Sequence, residues 1–153
     1  MTLVVRPLER RDLAAVVALI REGSLTPEVE RAEDADSYWR ATLETRARLG
    51  DVLVGDEDDQ VVGVTQVMIF PHLQHTGGWC CELESVFVRG DRRNRGVGAA
   101  MVRAAEALAR DRGCYRIQLT SRNVREDAHR FYRANGFEQS SQGFKKALVQ
   151  DLA

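Results

Sequence analysis

No apolar run in this 153-residue chain approaches the roughly 20 residues that a membrane-spanning helix needs. An excess of charge of one sign is also missing. The 22 Lys and Arg residues stand against 23 Asp and Glu, a formal net charge of −1, so there is no bulk electrostatic case for nucleic acid or a membrane surface as partner. Cysteine is scarce: three residues, an odd number with two adjacent, do not make a disulfide framework, and a reducing cytoplasm is the expected home. The first residues, Met-Thr-Leu-Val-Val-Arg-Pro, lack the apolar core of a signal peptide. Repeats, linkers and low-complexity stretches are absent. At 44% hydrophobic and 29% charged residues the composition is that of an ordinary globular protein, and the length suits one core, so residues 1–153 are expected to form a single domain.

The chain is organised around a strand, a basic turn and a helix. Residues 83–88 (Leu-Glu-Ser-Val-Phe-Val) are rich in β-formers. Residues 89–95 are polar and arginine-loaded. From Gly96 onward, Val97, Ala100, Met101, Ala104, Ala105 and Leu108 recur at helical spacing and predict an amphipathic helix over about 96–112, stopped by Gly113. The first turn of a helix leaves N–H groups unpaired at the positive end of its dipole. Gly96 and Gly98 admit a ligand close to the backbone, and Arg92, Arg93 and Arg95 offer forked donors for phosphate oxygens. A P-loop is excluded because no lysine follows the glycines, and a dinucleotide fingerprint because Met101 stands at its third glycine position.

The remaining pattern predicts strands over 2–6, 52–55, 61–69, 79–88 and 115–120, with the Asp56-Glu57-Asp58-Asp59 stretch joining two of them as a hairpin. Helices are expected over 10–21 (Leu13, Val16, Val17 and Ile20 inward, Gly23 as stop), over 36–49 (Trp39, Leu43 and Ala47 inward, Gly50 as stop) and over 125–135 (Ala128, Phe131 and Tyr132 inward, Gly136 as stop). A last strand pair is expected at 137–138 and 143–148. The order is β-α-α-β-β-β-α-β-α-β-β, which implies an α/β fold with a mixed central sheet and helices on both faces.

Arg93-Asn94-Arg95-Gly96-Val97-Gly98 resembles the acetyl-CoA signature of GNAT-type N-acetyltransferases, and Leu83–Val88 matches the strand that precedes it in that family. Ala128-His129-Arg130-Phe131-Tyr132 through Gly136-Phe137 resembles the second signature, Ala-x-x-Phe/Leu-Tyr-x-x-x-Gly-Phe, and the element order resembles the GNAT fold over nearly the whole chain. The resemblance implies acetyl-CoA as cosubstrate, no metal, and an amine acceptor. It implies that Arg93, Asn94, Arg95, Gly96, Val97, Gly98 and Ala99 wrap the pyrophosphate, and that Val86, Phe87 and Val88 pair with the pantetheine arm. The N–H of Val86 would hold the oxyanion, Tyr132 would protonate the departing thiolate, and Phe131 would line the cofactor side. One position departs from the family: Arg125 stands where an asparagine is common, and the nearest amide, Asn123, is the candidate for that contact.

Glu82 and Glu84 are the candidate bases. Alternation puts both on one strand face unless a bulge intervenes. Glu82 lies eleven positions before Arg93, the spacing of the catalytic glutamate in the lysine-acetylating branch, and Glu84 matches the family's Ile-Glu-x-Val pattern. The pair His72/His75 with Cys80-Cys81 fits no common zinc spacing, and Cys114 is expected in the core. The acidic stretch 28–36 is expected to be a solvated run. A non-catalytic acyl-CoA sensor or partner-binding module on the same fold stays open, as do the identity of the acceptor and a homodimer paired through the edge at 137–148.

Overall fold

In the computed structural model, which describes residues 1–149, the chain gathers into two units, Met1–Leu119 and the residues from Thr120 onward. The first holds a five-stranded sheet in sequence order: β1 (Leu3–Pro7), β2 (Asp51–Glu57), β3 (Gln60–Pro71), β4 (Trp79–Val88) and β5 (Cys114–Leu119). The first four strands pair antiparallel, and β4 and β5 pair parallel, as a crossover through a helix requires. The β2–β3 hairpin turns at Asp58 and Asp59, both left-handed (φ 52° and 66°), a conformation that short acidic side chains tolerate.

Two helices cover one sheet face. Helix α1 (Leu13–Gly23) buries Leu13, Val16 and Leu19 with Val52, Val54 and Val64, and Tyr38 and Trp39 of α2 (Ala35–Ala47) pack against the same cluster. Helix α4 (Val97–Asp111) lies on the other face, where Val97 and Met101 meet Val62, Leu3, Val5 and Val88. Gly63 is demanded by this contact: a Cβ there would stand 2.4 Å from the Met101 sulfur. The single turn α3 (Gln74–Gly77) joins β3 to β4 with His75 and Thr76 left-handed. Helix α5 (Glu126–Ala134) belongs to the second unit, and Gly136 (φ 88°) ends it. Among the described residues no helix is long and apolar enough to cross a membrane.

Three expectations are corrected. Helix α2 does not face inward through Leu43 and Ala47, which are exposed, but through Thr42 and Thr45. Their hydroxyls donate to the carbonyls of Tyr38 (3.0 Å) and Ala41 (2.8 Å), so these short polar side chains enter the interior already satisfied. Its left-handed terminal residue is Leu49 (φ 69°) rather than Gly50; Gly50 is needed because a Cβ would meet the Val67 carbonyl oxygen at 2.1 Å. The strand pair at 137–138 and 143–148 is not formed, so that stretch presents no sheet edge for pairing. Its centre, Gln139-Ser140-Ser141-Gln142-Gly143, has neither β-formers nor an apolar alternation, and Phe144 and Leu148 are exposed.

The start of α1 is tied to the sheet by Arg6, whose guanidinium donates to both oxygens of Asp12 (2.8 and 3.0 Å) and to Asp56 (2.9 Å). Burial pushes the Asp12 carboxyl up, but the Arg6 hydrogen bonds and the Glu9 N–H (2.7 Å) outweigh it and hold the acid below its ordinary range. A depressed carboxyl contributes stability above its unfolded value and loses it as pH falls through the folded one. Asp12→Asn is therefore expected to lower stability by about 3 kcal/mol at neutral pH. Thermal melts from pH 7 downward should show a shallower loss below pH about 4 in the variant than in the wild type.

Candidate active site

The site is built on the end of β4. Glu84 pairs with Gln66 and Phe87 with Val64, so Ser85 and Val86 together oppose the single residue Thr65, a β-bulge. Ser85 carries the strain, with φ at 53°. The extra residue resets the alternation. Phe87 turns to the α1 face, where it packs in the core cluster, and Val88 turns to the α4 face. Gly23 permits this, since a Cβ on it would stand 2.3 Å from the Phe87 ring.

β5 pairs with β4 only as far as Leu83–Leu119, so among the described residues no strand of the sheet covers the far edge of residues 84–88. The N–H of Arg89 donates back to Val62 (2.8 Å) on β3. Strand alternation then turns the N–H groups of Val88 and Val86 to the opposite, uncovered edge.

The following turn is braced from below. Arg92 is held by Glu57 (2.5 Å) and Asp91 (2.9 Å), and Arg89 by Asp91 and Gln60. Arg92, one of the three arginines the sequence offers to phosphate, is thus engaged by carboxylates. Glu22, at the end of α1, accepts from the Gly90 N–H (2.7 Å) and lies 3.9 Å from Arg93. That brace was not read from the sequence, because it joins residues 68 apart. Arg93 also donates to the Val88 carbonyl (3.2 Å) and remains exposed, as do Asn94, Arg95 and Gly96. Asn94 (φ 60°) and Gly96 (φ 83°) are left-handed around Arg95, the kind of backbone run whose N–H groups line an anion-binding concavity. Helix α4 begins at Val97, and the first intrahelical bond runs from Ala100 N–H to the Gly96 carbonyl, which leaves the amides of Val97, Gly98 and Ala99 outside the helical ladder. A Cβ built on Gly96 meets nothing within 4 Å, so the approach to this backbone is open.

Glu82 and Glu84 share one face of β4, opposite Met68 and Gln66, because the bulge follows them instead of separating them. Glu82 is half-buried and accepts a hydrogen bond from the Gln118 carboxamide (2.7 Å). Glu84 is exposed at its side chain, and its carbonyl accepts from the Thr65 hydroxyl (3.4 Å). In the second unit, Tyr132 and Phe131 lie half-buried on α5. The Tyr132 ring meets Phe131 (5.2 Å between centroids) and Phe137 (5.7 Å) edge-on. Asn123 is exposed before that helix.

The thiols belong to the fabric. Burial pushes the Cys81 thiol up to about 12, and burial also raises that of Cys114, so neither supplies a thiolate at neutral pH. His72 and His75 stack on Tyr115, with His72 Nδ1 hydrogen-bonded to the Tyr115 hydroxyl. In the acidic stretch, Glu30 accepts from the Tyr38 hydroxyl (2.6 Å). Ser85 gives a direct check on the bulge. Ser85→Gly should hold or raise stability, and Ser85→Val should lower it by about 1–2 kcal/mol, as read by chemical denaturation.

Residues 16–137, most of the chain and both units, match the acetyltransferase (GNAT) family. An aminoalkylphosphonate N-acetyltransferase of Salmonella typhimurium is 35% identical over 89 residues, a match spanning 58% of this chain and 57% of that protein. A glucosamine 6-phosphate N-acetyltransferase of Trypanosoma brucei brucei is 30% identical over 138 residues, 88% of each chain. Among solved structures, a transcriptional regulator from Bacillus halodurans C-125 superposes with a TM-score of 0.87 at 32% identity, covering 95% of this chain and 99% of that one. The bulged strand, the braced basic turn and the open helix start thus occur in a chain that belongs to the acetyltransferase (GNAT) family of N-acetyltransferases.

Proposed function

We propose that this enzyme transfers the acetyl group of acetyl-CoA directly to a primary amine of a small molecule or a protein, as a single domain working in the cytoplasm. The observation that carries the reading is the joint placement of an uncovered strand edge at Val86–Val88 and an accessible helix start at Gly96–Ala99. A diphosphate fits the second, since open amides, a helix dipole and the exposed guanidinium groups of Arg93 and Arg95 suit an anion. An extended arm with amide groups fits the first, because a bare strand edge pairs with such a chain. The matched family runs through both units without interruption, which supports one domain.

The chemistry asks for three services. The amine must lose a proton before its lone pair forms the new C–N bond; Glu82 or Glu84 takes that proton. The carbonyl oxygen gains charge as the bond forms, and the Val86 N–H stabilises it. The C–S bond then breaks, and Tyr132 gives its proton to the sulfur, a role assigned on the likeness of α5 to the second family signature. Asn123 and Phe131 complete the cofactor side on the same grounds. The relatives named above act on amines that also carry phosphonate or phosphate, so such amines head the acceptors to try.

A second reading follows from the Bacillus halodurans structure, a transcriptional regulator on this fold: binding of acyl-CoA without turnover. Acetyl-CoA should raise the melting temperature, and thiol release should follow with 2-aminoethylphosphonate, glucosamine 6-phosphate, a polyamine or a lysine peptide. Absence of any thermal shift contradicts both readings, and a shift without thiol release favours the regulator. Tyr132→Phe should lower kcat by about a hundredfold with little change in the affinity for acetyl-CoA. An unaltered kcat across the pH range would remove the acid role.

A further inference from the structure

The parallel register sets Gln118 of β5 directly beside Glu82 of β4, one step before pairing between the two strands stops at Leu83–Leu119. The Gln118 Nε2 donates to Glu82 Oε2 at 2.7 Å. On the other side of the amide, the thiol of Cys80, fully buried, lies 3.8 Å from Gln118 Oε1 and also 3.8 Å from the Cys81 carbonyl, and has one proton to give to either. The Glu82 contact fixes which way the amide points. A carboxylate only accepts, so nitrogen faces Glu82 and oxygen faces Cys80. Among the described residues no other hydrogen bond or ion pair engages the Glu82 carboxylate, which leaves Oε1 with its acceptor capacity.

We propose that Gln118 is a positioning residue for the reaction: it favours Glu82 as the base by holding the Glu82 carboxylate in one orientation at the point where β4 and β5 part. This rests on the reading of the enzyme as an amine acetyltransferase. The physical reason is that a carboxylate with one oxygen tethered loses little freedom when the other accepts a proton from an ammonium.

The test is steady-state kinetics, with the amine that the acceptor panel identifies, of the wild type, Glu82→Gln, Gln118→Leu and the double variant. Gln118→Leu removes the donor and should lower kcat by about tenfold with the KM for acetyl-CoA unchanged. Glu82→Gln should lower kcat by about a hundredfold. Because Gln118 acts through Glu82, Gln118→Leu should cost nothing further in the Glu82→Gln background, whereas a loss of packing alone would cost the same in both. An unchanged kcat in Gln118→Leu, or equal losses in the two backgrounds, overturns the positioning role while leaving Glu82 as base. If Glu82→Gln keeps the wild-type rate, the assignment of Glu82 as base falls and takes the positioning role with it.

Discussion

One extra residue in β4 governs the geometry of the site. Without Ser85, the strand would continue its alternation, Phe87 would leave the α1 cluster, and the backbone beyond Glu84 would keep its earlier orientation. With it, two β4 residues oppose Thr65, Phe87 seals the face under α1, and the N–H groups of Val86 and Val88 turn to an edge along which β5 does not run. A left-handed serine is unfavourable locally by about 1 kcal/mol or more, and the packing of Phe87 against Gly23 holds it in place.

The second element follows from the first. Once β4 has turned, the chain must reach α4 on the opposite face within a few residues. It does so through a turn whose arginines are divided by task. Arg89 and Arg92 are consumed by carboxylates of the turn and the β2–β3 hairpin, and Glu22 anchors Gly90, so the loop is stiff before any ligand arrives. Arg93 and Arg95 stay on the surface, where they can meet an anion. A preformed loop of this kind would lose little entropy on meeting an anion.

Much of this was legible in the residues. The strand–turn–helix unit, the hairpin around Asp56-Glu57-Asp58-Asp59 and the parallel crossover follow from patterns of neighbouring residues, whereas the place of the bulge does not. What escaped lies outside hydrophobic counts and short spacings. The burial of Thr42 and Thr45 in place of Leu43 depends on hydroxyls finding carbonyls four residues back, which a hydrophobic count ignores. The commitment of Arg92 to Glu57, the brace from Glu22 and the bond from Gln118 to Glu82 each join positions more than thirty apart, and no spacing rule reaches that far. The C-terminal strands were read from isolated β-formers at Phe137 and Phe144 separated by a polar stretch, too little pattern to define a ladder.

The account stands on the claim that the uncovered edge at Val86–Val88 and the open amides at Gly96–Ala99 form one binding surface for acetyl-CoA. The most direct measurement is a backbone amide titration by 15N NMR with acetyl-CoA. The account predicts that the amides of Val86, Val88, Gly96, Gly98 and Ala99 shift together, with one common dissociation constant. Saturable binding that leaves these amides unmoved and perturbs another part of the chain would contradict it.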